Sequence, residues 1–300
     1  MAARRSRKGR RRNRGRFGGL YKLLSTLVIL AAIVLGCVVF FRVNTILVEG
    51  NNRYTAEEVI AASGVEQGDN LFTLNKSQMI SQILTRLPYV DDLSISRKLP
   101  DTLVFYVTES VPVAWVESGG TCWLLDHRCK ILEAGDVSLT ENLPQVMGLT
   151  PLDPSVGGRL TVAPEEQDKL DQLRAFFAAI GEMQMTGSLT GFIDLSSGNE
   201  IRFGYGAELT VIFPLNGDFD QETYELKRAL ESMDERGIAR SGTLDQNYEG
   251  RVTHLLPDRW LPGQPDPAPE TGESGETEPP AASESPQGES DANEESKTAQ

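Results

Sequence analysis

The stretch "LPYVDDLSISRKLPDTLVFYVTES", residues 87–110, decides the fold. It holds two alternating runs hinged on a charged turn with a proline. Leu93 and Ile95 share one side of the first run, with Ser94 and Ser96 on the other. Leu103, Phe105 and Val107 share one side of the second. An apolar residue at every second position marks a half-buried strand, and two such runs around a turn mark an antiparallel hairpin. A two-stranded hairpin is marginal alone, so other elements must cover its apolar face.

Those elements lie upstream. "VNTILVEGN" (43–51) reads as a strand. In "RYTAEEVIAASGV", Thr55 caps a helix and Glu58, three residues on, completes a capping box, with Val59, Ile60 and Ala62 on the apolar side. "GDNLFTLNKSQMISQILTRLP" then gives a loop and a helix over 76–86. Met79, Ile80, Ile83, Leu84 and Leu87 form its apolar stripe, and Pro88 ends it. "NKS" at Asn75 has the form of a glycosylation sequon but stands where the helix needs its cap. Strand–helix–helix–strand–strand places two helices over one face of a three-stranded sheet.

Charge is divided sharply along the 300 residues. Residues 1–22 carry ten Lys/Arg and no acid, whereas the rest carries nineteen basic and forty-three acidic residues, a balance of −24. An acidic body opposes phosphate, so nucleic acid is not an expected partner. Between the two parts runs "LLSTLVILAAIVLGCVVFF" (23–41), nineteen uncharged residues bracketed by Lys22 and Arg42. A helix of that length spans the roughly 30 Å hydrocarbon core. Positive charge on its N-terminal side puts residues 1–22 in the cytoplasm and the body outside. The run is too long for a signal-peptide core, and "FFRVN" offers no small-residue cleavage site. "VLGC" (34–37) is no lipidation box, because the apolar run continues past Cys37. The basic segment suits topology and anionic lipid better than nucleic acid.

No chemistry-bearing motif stands out. Ser-x-x-Lys, Gly-x-Ser-x-Gly, His-Glu-x-x-His and a phosphate loop are all missing. Gly204-Tyr205-Gly206 lacks a third glycine and reads as a hairpin turn. His127, His254, Cys122 and Cys129 have no zinc-ligand spacing, so neither a metal nor any other cofactor is expected. Cys122 and Cys129 outside the membrane admit a disulfide as well as two thiols. A turn at 126–129 would set Cys122 opposite Glu133 rather than Cys129, which disfavours the bridge.

The hairpin and its two helices, ending in "YVDDLSISRKLPDTLVFYVTE", resemble a POTRA domain. Placed directly after one membrane span, they resemble the FtsQ/DivIB family of bacterial cell-division proteins. Later segments keep the family's order. "VPVAWVESGGTCWLLDHRCKILE" is similar to the entry of its β-domain, with Cys129 where the family has glycine. "NLPQVMGLTPLDPSVGGRL", the helix "APEEQDKLDQLRAFFAAIGEM", "GFIDLSSGNEIRFGYGAELTVIFP", the helix "DFDQETYELKRALESMDERG" and "SGTLDQNYEGRVTHLLP" follow, with Asp245-Gln246 replacing the family's Asp-Leu.

The expected fold is α+β. It has a basic tail (1–22), a transmembrane helix (23–41), a POTRA domain (42–110), a mainly antiparallel β-domain with packed helices (111–260) and a disordered acidic tail (261–300). From Pro262 onward there are ten acids and one lysine, too polar to bury a core.

The resemblance implies a non-catalytic divisome scaffold at the septum. It would bind the FtsL-type and DivIC/FtsB-type coiled-coil division proteins and so bear indirectly on the septal peptidoglycan synthase. In the family a partner adds a strand to the last strand of the β-domain, and an unpaired strand edge is a physical template for that. Here that strand is "NYEGRVTHLL" (247–256), so the candidate contacts are Tyr248, Glu249, Arg251, Val252, Thr253 and His254, with Trp260 beyond. Tyr248 and Arg251 are hot-spot residue types, and both also suit structural roles. Gly250 fits a bulge. The POTRA edge offers a second, weaker interface. A POTRA protein of a secretion or sporulation channel is the alternative, though no second POTRA copy is visible to build a ring. A wall hydrolase or its activator lacks a nucleophile and metal motif.

Overall fold

The computed structural model describes residues 17–246 and 253–265. Its first element, α1 (Phe17–Phe40), has 24 residues, about 36 Å of helix. Among the described residues it alone is long and apolar enough to cross a membrane, and none of the window 19–40 is buried against the rest of the chain.

The expected POTRA order follows: β1 (Thr45–Glu49), α2 (Ala56–Ser63), α3 (Lys76–Arg86), β2 (Val90–Lys98) and β3 (Thr102–Glu109). The two helix starts carry the expected caps. Thr55 and Glu58 form a reciprocal capping box, and Asn75 accepts from Gln78 N–H. β2 and β3 pair antiparallel with Leu93 opposite Val107, Ile95 opposite Phe105 and Arg97 opposite Leu103. β1 joins β3 in parallel, so β3 lies at the centre of the sheet. Val59, Leu71, Met79 and Ile83 close over Leu103, Phe105 and Val107 to form the core.

Beyond Glu109 the chain builds a second sheet from β4 (Ala114–Ser118), β5 (Thr121–Leu125), β6 (Ile131–Gly135), β7 (Gln145–Met147), then α4 (Gln167–Glu182), β8 (Leu189–Asp194), β9 (Glu200–Tyr205), β10 (Glu208–Pro214), α5 (Phe219–Arg236), β11 (Ser241–Asp245) and β12 (His254–Leu256). The spatial order is β12-β11-β10-β9-β8-β7-β4-β5-β6. Five of the eight pairings are antiparallel. Gly204-Tyr205-Gly206 ends β9 and turns into β10, as its spacing implied. α4 and α5 contribute Leu173, Phe176, Phe177, Leu226 and Leu230 to one core with Phe203 and Phe213 of the sheet. Phe176 lies 4.8 Å, centroid to centroid, from Phe203.

The β5–β6 turn departs from the sequence reading. Asp126 and Lys130 close a three-residue loop, and the register shifts again between Leu124 and Leu125. Those two residues of slack set Cys122 opposite Gly135, not Glu133. Cys129 adopts the left-handed conformation (φ 56°) that the family's glycine would supply. Both thiols are free and buried. Burial pushes the Cys129 thiol up to about 12.

Polar contacts fix the two sheets to each other. Tyr89 Oη donates to Glu133 at 2.6 Å, and the Arg53 guanidinium lies over the Tyr89 ring and reaches Glu133 at 3.0 Å. Burial, then the hydrogen bond to the Glu133 carboxylate, raises the Tyr89 pKa. Lys130 Nζ donates to the Val90 carbonyl at 2.9 Å. Asp126, fully buried, accepts Ser110 Oγ at 3.0 Å and the N–H groups of Arg128 and Lys130 at 2.8 Å each.

Two measurements check this arrangement in a soluble chain lacking α1. Thiol titration should find no reactive cysteine in the native protein and two after denaturation, whereas an oxidised Cys122–Cys129 pair would leave none in either. Tyr89→Phe should lower unfolding stability by about 1.5 kcal/mol, the low end for a hydrogen bond to a charged group because Glu133 is partly exposed.

Candidate functional site

The site begins with what α5 and β11 require. Asp218 caps α5 by accepting from Gln221 N–H, and Gly237 ends it in the left-handed conformation. Ile238 N–H then reaches back to the Met233 carbonyl at 2.8 Å. That is a Schellman ending, which brings a hydrophobic residue just past the helix against its last turn. The chain then enters β11, parallel to β10 with Thr243 beside Thr210. β12 returns antiparallel on the other side, with Thr243 opposite Leu256, Leu244 opposite Leu255 and Asp245 opposite His254.

β12 has β11 on one side and no strand on the other among the described residues. Gly242 lets it come so close: its φ is 101°, and a Cβ there would sit 2.1 Å from the Leu256 carbonyl oxygen. A glycine is needed at that position on both counts.

The two faces of this edge differ. On the α5 side, Leu244 and Leu255 form a cross-strand pair beside Ala229, Met233 and Ile238. These residues floor an open groove of about 520 Å³, with Glu225, Arg228 and Arg236 among its lining residues. Leu255 and Ile238 remain 40% and 42% exposed. The opposite face is closed by the chain itself. Thr243 Oγ1 accepts Trp260 N–H and donates to the Asp258 carbonyl, both at 2.8 Å, while Thr210 Oγ1 donates to the Trp260 carbonyl at 2.8 Å. The Trp260 ring meets Phe192 edge-on at 5.6 Å, and the Arg202 guanidinium lies 4.4 Å from its centroid. Arg202 is also ion-paired with Glu200.

The sequence-derived candidates separate on this geometry. Tyr248, Glu249, Arg251 and Val252, with Gly250, lie outside the described residues. Thr253 lines the groove and His254 lies exposed on the edge strand. Trp260 is 5% exposed and serves as a wedge under the sheet rather than as part of the edge. The groove residues Ile238, Met233, Leu244 and Leu255 were not foreseen. Gly237-Ile238 after an amphipathic helix was the available signal, through the helix-ending rule. Among the described residues, no cluster of three or more His, Cys, Asp or Glu side chains is placed to hold a metal ion.

A strand laid against β12 would gain main-chain hydrogen bonds, and its alternate side chains would enter the groove.

Similarity to known proteins accords with this architecture. Residues 41–110 match the family described as "POTRA domain, FtsQ-type". The chain is 23% identical over 211 residues to the cell division protein DivIB of Clostridium tetani, covering 70% of this chain and 78% of that protein. It is 24% identical over 217 residues to DivIB of Clostridium acetobutylicum, covering 72% and 84%. Over 205 residues it is 26% identical to the cell division protein FtsQ of Anaeromyxobacter sp., covering 65% and 64%.

Removing the wedge should loosen the edge. Trp260→Ala is expected to cost about 3–5 kcal/mol in denaturant unfolding, and Gly242→Ala about 1–3 kcal/mol through backbone strain.

Proposed function

We propose, from the match of residues 41–110 to the FtsQ-type POTRA family and the likeness to DivIB and FtsQ proteins over 65–72% of the chain, that this protein is a non-catalytic scaffold of the bacterial divisome. It is anchored by α1, with residues 1–22 in the cytoplasm and the two sheets outside at the septum. The charge division supports that orientation, since ten basic residues precede the span. The working parts are a POTRA domain at 42–110 and a β-domain at 111–260, followed by an acidic segment.

The observation that carries the reading is the open side of β12 beside an apolar groove. An FtsL-type or DivIC/FtsB-type coiled-coil protein supplies one extended segment, which adds to β12 as the next strand of the sheet. Its apolar residues seat on Leu255, Ile238 and Met233. Residues from Tyr248 through His254, including Glu249, Arg251, Val252 and Thr253, provide the rest of the contact. Trp260 contributes by holding β12 in register. Through the captured protein the scaffold bears on the septal peptidoglycan synthase. The POTRA sheet edge forms a second, weaker contact near the membrane.

The test uses proline as a probe of backbone direction. Successive N–H groups of an edge strand point alternately inward and outward, and proline removes one of them. In detergent-solubilised envelopes, one of His254→Pro and Leu255→Pro should abolish capture of coiled-coil division proteins with a near-normal melt. The other should mainly lower the melting temperature. Capture unchanged by both, or lost only on deleting residues 43–110, would reject the β12 site. A high-order ring of the purified full chain would favour a channel component instead.

A further inference from the structure

The last turn of a helix leaves carbonyls without partners, and in a bilayer that deficit is costly. At the end of α1 a POTRA loop supplies donors to these carbonyls, one of which, that of Cys37, also accepts Phe41 N–H at 3.1 Å. Asn70 Nδ2 donates to the Cys37 carbonyl at 3.3 Å and the Val38 carbonyl at 3.1 Å. The neighbouring Leu71 N–H donates to the Phe41 carbonyl at 2.9 Å. Arg42 and Asn70 form a bridge, and Val43 N–H donates to the Asp69 carbonyl at 2.8 Å. Leu71 is fully buried in the POTRA core, and Phe41 packs on that core. The loop is therefore bonded to the helix end and rooted in the sheet domain at once.

This fixes where the same loop's aromatic residue must lie. Asn70 Oδ1 accepts Phe72 N–H at 2.9 Å and turns the chain outward. The Phe72 ring is 54% exposed and meets Phe41 edge-on at 5.0 Å. Phe41 in turn meets Phe40, the last residue of α1, at 5.3 Å. The apolar window 19–40 has 22 residues, about 33 Å of helix, against a hydrocarbon core of roughly 30 Å. It leaves no stretch for a watery gap between Phe40 and the POTRA loop. A lone exposed phenylalanine needs no explanation. One held a ring's width from the end of a spanning helix does.

We propose that the loop 69–73 is a membrane foot. Phe72 enters the interfacial layer of the bilayer that α1 spans, while Asn70 caps α1. The POTRA domain thus stands on the lipid surface at a set angle instead of swinging on a linker. The occupant of this surface is the lipid itself, because the patch continues the face that α1 already presents to it.

The test places the full chain carrying Phe72→Trp in phosphatidylcholine nanodiscs, with and without bromine on the acyl chains. Wild-type emission is subtracted for Trp115, Trp123 and Trp260. The added emission should lie to the blue of a tryptophan in water and lose most of its intensity in the brominated lipid. Thr73→Trp, on the same exposed turn, replaces it if Phe72→Trp does not fold. Emission quenched by aqueous iodide and unchanged by brominated lipid overturns the proposal. Blue emission with no lipid quenching also overturns it, since the ring would then be packed on protein.

Discussion

Two threonine hydroxyls carry the end of this fold. Thr243 and Thr210 stand side by side on adjacent parallel strands and between them bind both backbone groups of Trp260 at 2.8 Å. Buried hydroxyls without partners are expensive, so this pairing admits one position for the chain after β12. Trp260 then fills the underside of the sheet against Phe192 and Arg202, and Gly242 lets β12 approach. A three-residue strand, His254–Leu256, would have little to hold it by its own pairing. Pinned on one face, and with no strand on its other side among the described residues, it stands ordered at the end of the sheet.

The same logic runs from the membrane outward. α1 ends in carbonyls capped by Asn70, and Phe41 packs on the POTRA core. POTRA in turn meets the second sheet through Tyr89, Glu133 and Arg53, through Lys130 on Val90, and through Ser110 on the buried Asp126. None of these contacts is strong alone. They join successive parts at several points, so β12 is presented in a fixed relation to the POTRA domain. For the proposed partner strand such preorganisation lowers the cost of binding, because the edge it would meet is already ordered.

The POTRA half was legible residue by residue because its signals are local. The capping box at Thr55 and Glu58, the cap at Asn75 and the alternation around Leu93 and Phe105 each act within a few positions. The β5–β6 turn was misread by two places. Its register depends on a left-handed Cys129 and a bulge, and nothing in "DHRCK" announces either. The terminal edge was anticipated as an edge, yet its groove was not. Leu244, Leu255 and Ile238 meet only after α5 and β11 pack, a long-range consequence that no periodicity encodes. Trp260 was a candidate by its place just beyond the last strand, and its burial rests on the hydroxyls of Thr210 and Thr243, which bind its backbone from strands far away in the sequence.

Backbone amide exchange across β11 and β12, residue by residue, with and without a bound coiled-coil division protein, tests the central claim most directly. If a partner strand adds to β12, every second amide of the strand around His254–Leu256 should change from fast to slow exchange. The amides already bonded to β11 should keep their protection. Binding that leaves the β12 amides fast, or that protects only the edge strands β1 or β2 of the POTRA sheet, would contradict the account.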